Sequence, residues 1–314
     1  MTAGSVKRYN AFSDELKRIF GTRVQRISVD AGFSCPNRDG LLDSDGCIFC
    51  GGHGSGSHGI RRELDIAGQL EDGKEVMRRK YKAQKFLAYF QSYSNTYAQP
   101  ERLRKLFGTA LEIPEIAGLI VATRPDCLPD SVLDYLAELH RQTYFWLELG
   151  LQSIHDRSLE FINRRHDYAC SLSAIEQAKA RGLRVCAHVI LGLPGESRSD
   201  MLATIDELNR VGVEGIKLHL LHVMKGTRLA AMYEQGSLAI MGRDDYAGLV
   251  CDVLERLNPD ILIHRLTGDG GHDSLVAPLW SLKKFEVLNL IDAELEKRGT
   301  RQGCGFPGVT SQPG

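Results

Sequence analysis

Three cysteines between residues 31 and 57 have the type and spacing to do chemistry. The segment reads AGFSCPNRDGLLDSDGCIFCGGHGSGS, with thiols at Cys35, Cys47 and Cys50 in a C-x11-C-x2-C pattern. Thiolates ligate iron–sulfur clusters and zinc. Cys47 and Cys50 can grip neighbouring corners of one metal site, and the loop with Pro36, Gly40 and Gly46 can return Cys35 to it. Three thiolates leave one iron of a four-iron cube without a protein ligand, open to a substrate-like group. The rival is zinc, for which His53 could complete a closed Cys3His tetrahedron. Two features argue against zinc. Phe49 is an apolar ring suited to packing on a flat adenine, although core packing is the plainer account of it. Gly51, Gly52 and Gly54 let a ligand approach the backbone closely.

These residues need a frame. Segments 24–30, 85–91, 118–123, 144–152, 184–194, 215–223 and 260–268 are short, apolar and rich in β-branched or aromatic residues, which predicts strands. Helices are expected at 60–84, 100–111, 129–140, 156–163, 169–181, 197–211, 227–235 and 243–257, and near 280–298. Such alternation implies βαβ units and a parallel sheet. Polar or special residues follow nearly every strand, among them Tyr93, Asn95, Arg124, Gln152, Gly192, Pro194, Lys225 and Gly268. A site built from many strand C-termini belongs to a β/α barrel. The expected fold is α/β, a partial or complete (β/α) TIM-type barrel over residues 1–300, with the cysteine loop at 31–57. The polar, Gly-rich tail 301–314 is expected to be disordered.

Composition narrows the setting. With 43% hydrophobic and 25% charged residues, the 314-residue chain is an ordinary globular one. No stretch approaches the roughly 20 apolar residues of a membrane helix, and no secretion signal opens the chain, so a cytoplasmic location is expected. There a tight cysteine cluster points to metal or redox chemistry rather than disulfides. Cys127, Cys170, Cys186, Cys251 and Cys304 lack clustered spacing and are set aside. Residues 1–110 hold 18 Lys and Arg against 12 Asp and Glu, including Lys74, Arg78, Arg79, Lys80, Lys82 and Lys85. Such a run can track phosphates, but its plainer reading is the solvated face of helices.

The motifs DAGFSCPNRDG, GCIFC, KFLAYFQSYSNTYA, ATRPDCLPD, ELGLQS, NRRHDY, HVILGLPGE, KLHLLHVMKGT and HRLTGDG follow one another along the chain. In this ordered set the sequence resembles the radical S-adenosylmethionine (SAM) superfamily. Within it nearly the whole chain, about 5–300, looks like the bacterial YhcC/YtqA-type proteins, in the branch close to the catalytic subunit of Elongator and to oxygen-independent coproporphyrinogen oxidase. The resemblance implies a [4Fe-4S] cluster on Cys35, Cys47 and Cys50 and SAM bound at its open iron. It implies reductive cleavage of SAM to a 5′-deoxyadenosyl radical, fed by an electron donor such as flavodoxin or ferredoxin. It also implies that Phe49 faces the adenine, Gln152 contacts the cofactor, Arg164 lies near its carboxylate and His188 near the ribose. Gly192 and Pro194 match the turn beside the adenine. The Elongator likeness makes a tRNA wobble uridine the expected substrate class.

Each of these residues also has a plainer role. Gln152 could cap a loop, Arg164 could pair with Glu160 one helical turn back, and His188 could be a hydrogen-bonded core histidine. The eleven-residue first gap is longer than the common C-x3-C-x2-C form, and Ala122 stands where related proteins often have an acid. Two other readings stay open: a zinc-stabilised RNA- or protein-binding module, and a radical enzyme acting on a small molecule.

Overall fold

The computed structural model describes residues 7–52, 60–268, 271 and 273–307. Seven strands form one sheet: β1 (Val24–Val29), β2 (Lys85–Phe90), β3 (Ile116–Thr123), β4 (Tyr144–Gln152), β5 (Val185–Leu191), β6 (Gly215–Leu220) and β8 (Leu262–Arg265). They lie side by side in that order, each parallel to the next. Among the described residues β1 and β8 do not pair, so the expected barrel is a partial one. A small antiparallel ribbon, β7 (Val223–Met224) with β9 (Leu275–Ala277), stands beside it; β9 lies outside the expected elements.

Strand β4 shows how the sequence makes two faces. Phe145, Leu147, Leu149 and Leu151 join the layer between sheet and helices, while Trp146 joins the interior cluster. Gly150 and Gln152 reach the cavity at the upper end. This period of two is that of a pleated strand. Each large apolar side chain buried this way stabilises by roughly 1.5–3 kcal/mol. The outer layer is α2 (Ile66–Tyr81), α3 (Pro100–Glu112), α4 (Asp130–Gln142), α6 (Tyr168–Ala180), α7 (Arg198–Val211) and α9 (Arg243–Arg256). Helix α2 starts at Ile66 rather than 60 because the Asp65 carboxylate accepts from Gly68 N at 2.8 Å, a cap.

Helix α1 (Phe12–Phe20), which precedes the first expected element, plugs the barrel at the N-terminal ends of its strands. The Phe12 ring stacks on His264 at 3.9 Å and meets Trp146 edge-on at 5.8 Å. The chain's end departs from the expected disorder. Gln302 is buried; its side-chain oxygen accepts from Asn10 N at 2.8 Å and its amide donates to Asn258 O and Ile261 O. Residues 301–307 are thereby tied to the N-terminal segment, because a polar stretch orders when its donors and acceptors find fixed partners. Residues 308–314 lie outside the described residues.

The basic run takes the bland reading. Lys74 is buried between Glu71 and Glu115, and Arg78 pairs with Glu115. The last turn of α2 leads into Lys85, the first residue of β2, so these charges gather at the N-terminal ends of the strands. The cysteine loop leaves the opposite, C-terminal end. No helix among the described residues is long and apolar enough to cross a membrane.

Candidate active site

The loop after β1 is held by its own turns and by a distant segment. Arg38 N and Asp39 N donate to Cys35 O, and Cys50 N donates to Cys47 O at 3.0 Å. Residues 162–165, after α5 (Asp156–Phe161), fasten it from the side. Ile48 N donates to Ile162 O, and the Asn37 amide donates to Asn163 O at 2.7 Å while lying 3.5 Å from Cys47 Sγ. Asn163 donates to Gly46 O at 2.8 Å, and Arg165 Nε to Asp43 at 2.7 Å. Asn163 and Arg165 hold left-handed φ of 57° and 61°, a strained shape that neighbours must maintain. Asn37, Asp43, Asn163 and Arg165 are absent from the expected site. Asn163 and Arg165 lie in the NRRHDY motif and Asn37 in DAGFSCPNRDG, while Asp43 lies in neither; these exposed-looking polar residues turn out to bridge over a hundred residues of chain.

The loop roofs a cavity of about 480 Å³ at the strand C-termini. Cys35, Cys47, Cys50, Phe49, Gln152, Arg164 and His188 all line it. Gly192 and Pro194 do not; they form the turn beyond β5, where Gly192 has φ 86° and glycine alone is unstrained. His53 and Gly54 lie outside the described residues. Arg164 does not take Glu160 as partner. It is buried, with Nη2 donating to Gly150 O at 2.6 Å and Nη1 lying 3.6 Å from Cys47 Sγ. A Cβ at position 150 would come within 2.7 Å of that Nη2 and 2.8 Å of the Gln152 amide, so the two side chains need glycine there. Gln152 itself holds φ 73°. Beside Arg164, Arg124 pairs with Asp126 at 2.6 Å and donates to Arg164 O. Arg124 Nη1 and Arg164 Nε are buried without hydrogen-bond partners. Burial, then the neighbouring Cys47, pushes the Cys50 thiol up to about 11. A metal must displace those protons to bind.

Beneath the cavity, inside the barrel, lies a charged network. Glu148 is fully buried. Its Oε2 accepts from Lys217 Nζ at 2.6 Å, Tyr89 OH at 2.7 Å and His188 Nε2 at 2.8 Å, and its Oε1 meets His264 Nδ1 at 3.2 Å. Lys217 also donates to the Tyr89 hydroxyl at 2.6 Å. Burial alone would raise the Glu148 carboxyl; Lys217 and then His188 override it and hold it well below the ordinary range. Burial lowers Lys217 to about 8 against the pull of Glu148. Of these residues only His188 is assigned to the site from the sequence; Glu148 reads there as a strand residue facing the barrel interior and in need of partners, Tyr89 as an aromatic without an assigned role, and Lys217 becomes visible only once β6 and β4 are brought into one barrel.

This network predicts acid sensitivity. Burial, reinforced by Lys217, lowers His188 to about 4, and burial lowers His264 to about 4 against Glu148. Between that value and the free histidine value of 6.5 the unfolded chain binds more protons than the folded one, so stability rises with pH there and falls on acidification. The depressed Glu148 carboxyl acts in the same direction, its contribution being lost as pH falls through its folded pKa. The urea midpoint is expected to drop steadily from pH 6.5 to 4.5; a flat profile would mean these histidines are not buried neutral.

The profile of the Radical SAM superfamily matches residues 35–208, and that of the Radical_SAM C-terminal domain matches 213–297. The chain belongs to the radical SAM superfamily. Its cofactors are those of that superfamily, a [4Fe-4S] cluster and SAM, and it is an enzyme. Among similar proteins is YtqA of Bacillus subtilis, 46% identical over 300 residues, covering 96% of this chain and 93% of YtqA. A tRNA uridine(34) acetyltransferase of Methanocaldococcus jannaschii is 30% identical over 190 residues, covering 60% of this chain and 34% of the relative. The solved Elp3 of Methanocaldococcus infernus, with an N-terminal deletion, superposes with a TM-score of 0.69 at 17% identity. That match covers 89% of this chain and 64% of the Elp3 chain, and at that identity it speaks for the partial-barrel fold alone.

Proposed function

We propose that Cys35, Cys47 and Cys50 hold the [4Fe-4S] cluster, with SAM at the iron they leave open, and that the chain reductively cleaves SAM. The carrying observation is the convergence, on one cavity, of three thiols with the partnerless N–H groups of Arg124 and Arg164. Three thiolates and a carboxylate are the anions such N–H groups take. Bound there, the cluster and SAM supply the reductive cleavage that yields a 5′-deoxyadenosyl radical. Arg164 steadies Cys47 and offers Nε to an anion, Phe49 offers an apolar face, and Gln152 and His188 offer polar groups. Gly192 and Pro194 set the exit of β5 behind them. The barrel wall and the roof of residues 35–52 keep bulk water from a reactive centre.

Zinc fits less well. Three thiolates 2.3 Å from one zinc lie roughly 3.8 Å apart. Among the described residues Cys35, Cys47 and Cys50 do not form a group with all sulfurs within 4.8 Å.

For substrate we propose a wobble uridine of tRNA. The support is the likeness to a tRNA uridine(34) acetyltransferase, not the basic run on α2, which lies at the wrong end of the barrel. An external reductant such as flavodoxin or ferredoxin supplies the electron. The eight free thiols agree with a reducing, cytoplasmic setting. Modified nucleosides of total tRNA, compared with and without the gene, should differ at a uridine derivative. Identical profiles would remove tRNA as the substrate and leave the radical chemistry untouched.

A further inference from the structure

Arg38, three residues after Cys35, turns its side chain back across the cysteine loop. Its Nη1 donates to Gly51 O at 2.9 Å and to Cys50 O at 3.3 Å. Arg38 lines the cavity and faces the Cys50 thiol, where it is the leading cation working against the burial that disfavours a thiolate. Cys47 is flanked by other groups. The Asn37 amide lies 3.5 Å and Arg164 Nη1 3.6 Å from its sulfur. Both thiols of the close pair therefore stand beside N–H donors, and at Cys50 the donor is a half-buried guanidinium.

The placement of Arg38 is built into the loop. Gly46 has φ 76°, and a Cβ there would lie 2.9 Å from Arg38 Cγ, so the stem passes freely only over a glycine. The loop's own acids are engaged elsewhere. Asp43 pairs with Arg165, Asp45 lies 3.9 Å from Arg228, and Asp39 accepts from Leu41 N at 3.2 Å. Among the described residues the hydrogen bonds of Arg38 go to neutral carbonyls, and no carboxylate pairs with it. A guanidinium keeps its charge at any ordinary pH. Here that charge is left for the thiolates.

We propose that Arg38 sets the reduction potential of the cluster, holding a fixed positive charge beside Cys50 so that the incoming electron is easier to accept. The proposal rests on reading Cys35, Cys47 and Cys50 as the cluster ligands and adds a residue that controls the electron step. Reduction transfers one electron from the external one-electron donor and breaks no bond, so negative charge builds up on the cluster and its thiolates. A cation beside one of those thiolates stabilises the reduced form more than the oxidised form. Potentials of such clusters respond to net charge and to hydrogen bonds on the sulfurs. Arg38 acts through Cys50 and is a positioning residue, not a reacting group.

The test is a redox titration of the full chain, anaerobically reconstituted and free of SAM, followed by electron paramagnetic resonance. Arg38→Gln removes the charge and keeps an amide that can bond a carbonyl. It should retain about four irons per chain. It should accept its electron about tenfold less favourably, a midpoint lower by about 59 mV for one electron. Arg38→Lys keeps the charge and should recover at least half of that shift. Arg228→Gln removes an exposed charge beside the same loop, one that water and salt screen, and should leave the midpoint in place. The titration reads only molecules that carry a cluster, so partial loss of iron leaves the midpoint defined. An unshifted Arg38→Gln, equal shifts in the glutamine and lysine variants, an equal shift in Arg228→Gln, or complete loss of iron from Arg38→Gln overturns the proposal. A wild type that takes up no cluster fails the ligand reading and the proposal with it. A loaded wild type with unshifted variants fails the proposal alone.

Discussion

Replacing Cys35, Cys47 or Cys50 singly with alanine is expected to leave a folded protein that has lost its iron and its SAM cleavage. Iron should fall from about four per chain after anaerobic reconstitution to well below one, with the brown colour. Cleavage of SAM should drop beneath detection, because two thiolates cannot hold a cluster whose third corner is unligated. The fold survives for a local reason. The loop is fastened by Asn37, Asn163, Arg165 and Ile48 through hydrogen bonds that involve no metal. Thermal unfolding of the metal-free variants should therefore lie close to that of metal-free wild type. Equivalent replacement of Cys127, Cys170 or Cys304 should leave iron content unchanged. Cys127 and Cys170 line a different cleft, and Cys304 is exposed. A single variant at 35, 47 or 50 that kept four irons would remove that thiol from the ligand set.

The largest stability effect is expected at Glu148. Glu148→Leu strands Lys217 as an unpaired buried charge beside two imidazoles and a phenol that lose their acceptor. Breaking a buried pair in this way costs about 3–5 kcal/mol. Denaturant unfolding should register it as a shift in midpoint with the slope unchanged. The double variant Glu148→Leu/Lys217→Met should recover part of the loss, because it removes the uncompensated ammonium and replaces the pair by apolar volume. A cost under about 1 kcal/mol for the single change, or no recovery in the double, would mean the network does not brace strands β2, β4, β5, β6 and β8 as described.

Where the signal was local, the sequence was readable. Strand β4 falls over 144–152 as its alternation requires, and the residues after several strands line the cavity at their C-terminal ends. Phe49, Gln152, Arg164 and His188 all line one cavity. What stayed hidden depends on partners far along the chain. Lys217 looks like a lone cation in an apolar strand until Glu148, 69 residues away, faces it. Arg164 looked able to pair with Glu160 because helical spacing is visible and the carbonyl of Gly150, at the end of the preceding strand, is not. The tail misled for the same reason. Gln302 reads as a solvated residue, yet its amide and carbonyl satisfy groups near residues 10 and 260. The charge of α2 was countable, but whether it faced the site depended on which end of β2 it preceded.

The most direct measurement is electron paramagnetic resonance of the reduced, reconstituted protein before and after adding SAM. If Cys35, Cys47 and Cys50 leave one iron free for SAM, the spectrum shifts on addition, and methionine and 5′-deoxyadenosine appear as the signal is consumed. A colourless protein carrying a single zinc, or a cluster signal indifferent to SAM, would contradict the account.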